Sequence, residues 1–151
     1  MSKVFSTAYN RSIADIWLFL LRLCVGGFML THGYPKLEKL LAGGEIQFFD
    51  FMGIGAAASL ALAVFAEVIC SVLLALGLGT RLASIALAIT MGVAAFLRHA
   101  EDPFAKKEQA LLYLLIFLTL LVFGPGRYSL DSMLGGKPGM KRKGAKARSY
   151  A

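Results

Sequence analysis

From Ala56 to His99 the sequence is apolar almost without a break. As a single helix this stretch would reach about 66 Å, more than twice the thickness of the hydrocarbon core of a bilayer. The chain therefore has to turn within it, and the one interruption is Gly77-Leu78-Gly79-Thr80-Arg81. Glycine can close one helix, threonine can cap the next, and arginine marks an edge that meets water. The pattern predicts two antiparallel helices joined by a tight turn.

Two more apolar runs, about Ile13 to Thr31 and about Ala110 to Phe123, flank this hairpin. The predicted helices are about 13–33, 56–78, 82–99 and 108–124. The first two runs have the roughly 20 apolar residues that a span needs, and the others reach it when their flanking polar side chains snorkel. Helices satisfy every backbone group within one segment, and the alternating strands of a membrane barrel are not visible. With 58% hydrophobic and only 17% charged residues, against about 25% charged in soluble domains, the expectation is an all-α, integral membrane four-helix bundle. It forms one domain over 1–136, followed by a basic tail at 137–151. The polar start, Met1 to Ser12, and the lack of a small-residue cleavage site predict no cleaved signal peptide.

The net charge of +7 does not point to nucleic acid, because six of the sixteen basic residues fall in the last fifteen positions. A basic tail beside a membrane segment reads as a topology signal and a contact with anionic lipid. In a four-span chain, both termini and the Arg81 turn carry ten Lys and Arg, and the other two loops carry five. The positive-inside rule then puts both termini in the cytoplasm. His32, Lys36, His99 and Glu108 gather at the outer face.

Pro35 is expected to end or kink the first helix just after Gly33. Ile46 to Met52 is aromatic enough to lie in the interface as a short amphipathic turn or helix. Gly124-Pro125-Gly126 stops the last helix. Cys24 and Cys70 form no C-x-x-C motif and read as packing residues at different depths, with no disulfide between them.

Arg22 and Glu67 stand within two different spans. Each is costly alone in hydrocarbon, so the expectation is a buried ion pair between the first two helices. Arg22 shares a stripe with Gly26, Met29 and Gly33, and Glu67 shares one with Ala63, Cys70, Ser71 and Leu74. These small residues would let the backbones approach closely. The pair has two readings: a structural lock between helices, or part of a ligand pocket or proton path.

The order of several short pieces resembles the DoxX family of small four-helix bacterial membrane proteins. The pieces are Arg22-Leu23 with Gly27, Thr31-His32-Gly33-Tyr34-Pro35-Lys36-Leu37, Glu67, Leu76-Gly77-Leu78-Gly79-Thr80-Arg81-Leu82-Ala83, Met91, Glu108, and Gly124-Pro125-Gly126-Arg127-Tyr128-Ser129-Leu130-Asp131. The resemblance implies a helix bundle in the bacterial cytoplasmic (inner) membrane, linked to quinone-dependent oxidation, sulfur metabolism and oxidative stress. It implies no agreed reaction.

A quinone would need an apolar slot and hydrogen-bonding groups at its carbonyl oxygens. Phe28, Met29, Met91 and Phe96 could wall such a slot, or simply fill the bundle. His32, Lys36, His99 and Glu108 could form an outer-face polar mouth; with two histidines and no H-x-x-x-H spacing, no metal site is expected. No intrinsic cofactor motif is present, so electrons would have to come from a redox protein partner. The leading expectation is a membrane subunit or quinone-interacting component of a redox or oxidative-stress system, whether or not it is itself an enzyme. The alternative is a non-enzymatic scaffold or assembly factor, and a homo-oligomer fits either.

Overall fold

The computed structural model describes residues 10–135. Its helices are α1 (Arg11–Leu41), α2 (Ala56–Leu76), α3 (Thr80–Arg98), α4 (Phe104–Phe123) and a short α5 (Leu130–Leu134). Three of them, α1 to α3, are long and apolar enough to cross a membrane. α4 is 20 residues long, but Lys106, Lys107 and Glu108 occupy its opening turns. The basic tail expected at 137–151 lies outside the described residues.

Each long helix packs on its neighbour in sequence, and α4 returns to touch α1. The core between them holds Val25 and Met29 of α1, Leu74 of α2, Leu87 of α3, and Phe117 and Leu120 of α4, each at most 2% exposed. Large apolar side chains such as Trp17, Leu23, Phe65 and Val122 face outward. In water this surface would be a liability; against lipid tails it is the matched solvent.

Two glycines set how closely α1 and α2 approach. A Cβ on Gly26 would lie 2.9 Å from the Ser71 carbonyl oxygen, and one on Gly33 would lie 2.9 Å from the backbone of Glu67. Small residues at such crossings let backbones pack where lipid provides no hydrophobic drive. The antiparallel register follows from these two contacts.

Pro35, expected to end or kink the first helix, does not end it: it lies inside α1, which runs on to Leu41. Proline removes one N–H and frees the Thr31 carbonyl, but near a membrane surface that group can find other partners. α1 therefore runs 31 residues, or about 46 Å. Continuation carries Lys36 around to face α2.

At the α2–α3 turn, the Gly77 N–H bonds the Leu74 carbonyl and the Leu78 N–H bonds the Leu73 carbonyl. This is a Schellman closure, and Gly77 takes the left-handed φ of +72° it requires. The expected threonine cap of the next helix is not used. Asp131 supplies it instead, its two carboxylate oxygens accepting from the N–H of Gly79 at 2.7 Å and of Thr80 at 2.9 Å.

Candidate functional site

The two buried charged groups, Arg22 and Glu67, stand at different levels of the bundle. At the α2–α3 turn, Arg22 is fully buried. It donates through Nη1 to the Leu74 carbonyl at 3.3 Å and through Nη2 to the Tyr128 carbonyl, and it lies 5.9 Å from the centroid of the Phe19 ring. A guanidinium here adds a second donor to the Leu74 carbonyl, which already accepts from the Gly77 N–H, and interacts with the negative end of α2. The Asp131 N–H bonds the Gly77 carbonyl, so the segment after α4 is strapped across the turn. Arg22 and Asp131 thus organise the α2–α3 turn from two sides.

The expected Arg22–Glu67 pair is therefore not formed. Arg22 lies eleven residues before Gly33, the residue level with Glu67, which is about 16 Å along the helix. Glu67 instead accepts both its hydrogen bonds from the Lys36 ammonium. Glu67 is 2% exposed and Lys36 31%, so the carboxylate is held inside while the amine reaches the edge.

This pair lines a cavity of about 470 Å³ between α2 and α3. The helices contribute Ser59, Ala66 and Thr90 among others, and Arg98 and His99 complete the polar part of the lining. Phe48, Phe49 and Phe51 cover it from the α1–α2 connection. That connection, 42–55, contains no helix; of the expected amphipathic turn or helix it forms a turn at 51–54, where the Ile54 N–H bonds the Phe51 carbonyl at 3.3 Å. Three other bonds shape the connection: the Lys39 ammonium to the Gln47 carbonyl, the Phe51 N–H to Ser59 Oγ at 2.9 Å, and the Gly55 N–H to Asp50 Oδ1 at 2.9 Å.

Both helices are π-helical where they border the cavity, over Phe65–Cys70 in α2 and Ala94–Arg98 in α3. A π turn is rare, and it re-aims side chains at functional sites. Here the two turns bring Glu67 and Arg98 to one space.

The expected outer mouth is divided. Lys36 and His99 line the cavity. His32 turns toward α4, 3.2 Å from Gln109 Nε2 and edge-on to Tyr113, and Glu108 is exposed. His99 Nδ1 lies 2.6 Å from Asp102 Oδ2. His99, and after it Lys106, hold the Asp102 carboxyl below its ordinary range. Among the described residues no three His, Cys, Asp or Glu side chains gather as a metal site.

The four expected pocket walls do not wall this cavity. Met29 and Met91 belong to the packed core, and Phe28 and Phe96 face outward, 58% and 64% exposed. Sequence spacing identified apolar bulk but not which side of each helix met its neighbours. Phe48, Phe49 and Phe51 fall in the stretch expected to be interfacial; Arg98 falls at the end of the expected third helix, with nothing in the sequence to mark it as a cavity residue. Cys24 is exposed and Cys70 buried, and both are free thiols.

Residues 17–100, more than half of the chain, match the DoxX family model. The chain belongs to the DoxX family. A protein of Haemophilus influenzae, described as uncharacterized, is 33% identical to it over 126 residues, covering 77% of this chain and 89% of the relative. No solved structure matches. Lys36, Glu67, Arg98 and His99 all fall inside the matched DoxX residues, and Asp131 lies beyond them. The chain is a multi-pass DoxX membrane protein, and the residues that line the Lys36–Glu67 cavity all lie within the part that matches the family.

Proposed function

We propose that this DoxX protein binds a quinone in the cavity between α2 and α3 and serves as a membrane component of a redox or oxidative-stress system. The observation that carries the reading is an apolar cavity holding a charged donor and acceptor, Lys36 and Glu67, at one wall. A quinone headgroup needs hydrogen-bond donors at its carbonyl oxygens, and Lys36 and Arg98 supply them. Glu67, at the same wall, would exchange a proton with a bound quinol. Conversion between quinone and quinol moves two electrons and two protons, and the electrons pass to or from a redox protein partner.

The cavity is bordered by Leu62, Phe65 and Ile89, all about half exposed on the outer surface of the bundle. A lipophilic ligand could enter sideways from the bilayer. In this reading α4 is a fourth span, both termini are cytoplasmic, and the cavity opens near the outer face of a bacterial inner membrane, consistent with the distribution of Lys and Arg.

The test is solvent extraction of quinone from protein purified in mild detergent. Near-stoichiometric quinone in the wild type, lost in Glu67→Gln, supports the reading. No quinone in the wild type, with a membrane protein co-purifying undiminished in Glu67→Gln, supports the scaffold.

A further inference from the structure

A second concavity, about 630 Å³, lies at the opposite end of the bundle from the polar cavity. Ile16 and Phe19 of α1, Leu76 at the end of α2, and Leu130 and Met133 of α5 give it apolar walls, with Arg127 among its lining. The Arg127 side chain forms no ion pair among the described residues. Asp15 Oδ1 accepts from the Arg127 backbone N–H at 3.1 Å.

The chemistry of this groove is that of a phospholipid: apolar walls beside one cation, Arg127, that has no ion pair among the described residues. The sequence continues past Gly135 with Lys137, Lys141, Arg142 and Lys143, and basic residues beside a membrane segment attract anionic lipid. We propose that the groove binds one anionic phospholipid, its phosphate against Arg127 and one acyl chain along Phe19, Leu76 and Met133. The tail alone attracts anionic lipid without selecting a position; the groove gives it one. The lipid would brace α5 against α1 beside the Arg22–Asp131 strap.

The experiment reconstitutes the full chain in vesicles of equimolar phosphatidylglycerol and phosphatidylcholine, re-extracts it in mild detergent and counts bound lipids by native mass spectrometry. The wild type is expected to retain one phosphatidylglycerol in preference to phosphatidylcholine. One surface charge is worth about fivefold in binding, so Arg127→Gln should reduce that preference about fivefold. Met133→Trp, which fills the trough and leaves the cation, should lower retention of both lipids. Equal retention of the two lipids by the wild type, an unchanged preference in Arg127→Gln, or a lipid-free dimer would overturn the proposal. A thermal melt of each variant in detergent confirms that it is folded before the lipids are counted.

Discussion

The Lys36 ammonium meets the Glu67 carboxylate because α1 continues through Pro35. The pair closes one wall of the cavity with a buried acid and a partly exposed base. Removing one partner leaves the other without its counter-charge, a loss of about 3–5 kcal/mol for a fully buried pair and less here because Lys36 reaches the edge. Lys36→Met should therefore destabilise the protein clearly, and the double variant Lys36→Met with Glu67→Met should recover most of the loss. Thermal unfolding in detergent measures both.

Arg22 and Glu67 should behave as strangers. They share no hydrogen bond and lie about 16 Å apart along α1 and α2, so their substitutions should add to within about 0.5 kcal/mol. The exchange Arg22→Glu with Glu67→Arg should be at least as unstable as either single change. A double-mutant cycle with a coupling above 1 kcal/mol would overturn this assignment.

Gly77 and Gly27 make a matched pair of tests. A Cβ on Gly77 would lie 2.1 Å from Arg22 Nη1, at a φ of +72°, so Gly77→Ala should cost roughly 2–4 kcal/mol from backbone strain and overpacking. A Cβ on Gly27 would meet nothing within 4 Å, and Gly27→Ala should be neutral or stabilising by up to about 1 kcal/mol. Melting curves of the two variants separate local conformation from a general intolerance of α1 and the turn.

Asp131 gives the α2–α3 turn a dependence on pH. Burial pushes its carboxyl up, but the Thr80 and Gly79 N–H groups and the Arg22 charge more than reverse this, and the net shift is downward. Its stabilisation is fully present above the unfolded carboxylate value of about 3.9 and is lost as pH falls through the lower folded value. Asp131→Asn should lower stability near neutral pH and flatten the acid limb below about pH 4. Urea unfolding in detergent across pH 3–7, compared with wild type, reads this difference.

Ser59 holds the aromatic cover through the Phe51 N–H at 2.9 Å. Ser59→Ala should cost about 1 kcal/mol and speed hydrogen exchange at Phe51 more than at core amides such as Leu87. Equal changes at both positions would mean that the bond does not latch the cover.

The helices were legible because apolar run length and glycine interruptions act locally. The partners of Arg22 and Glu67 were not, since they depend on the register of α1 against α2. In the structure Gly33 falls opposite Glu67 and Gly77 falls beside Arg22, a register that equal counting outward from the α1–α2 connection misses by two to three residues. Pro35 does not end α1, because its local cost is set against the packing of a whole helix. The role of Asp131 is a contact across 51 residues, and nothing in Arg127 to Asp131 alone reveals which turn it caps. The cavity depends on two π turns and an irregular connection, for which apolar periodicity has no signature.

Photolabelling with an azido-quinone, followed by peptide mapping, tests the central claim most directly. The account predicts saturable labelling of Phe48–Phe51 and of the π turns Phe65–Cys70 and Ala94–Arg98, competed by unlabelled quinone and weakened in Lys36→Met. Unsaturable labelling spread over outward residues such as Trp17, Leu23 and Val122 would contradict it.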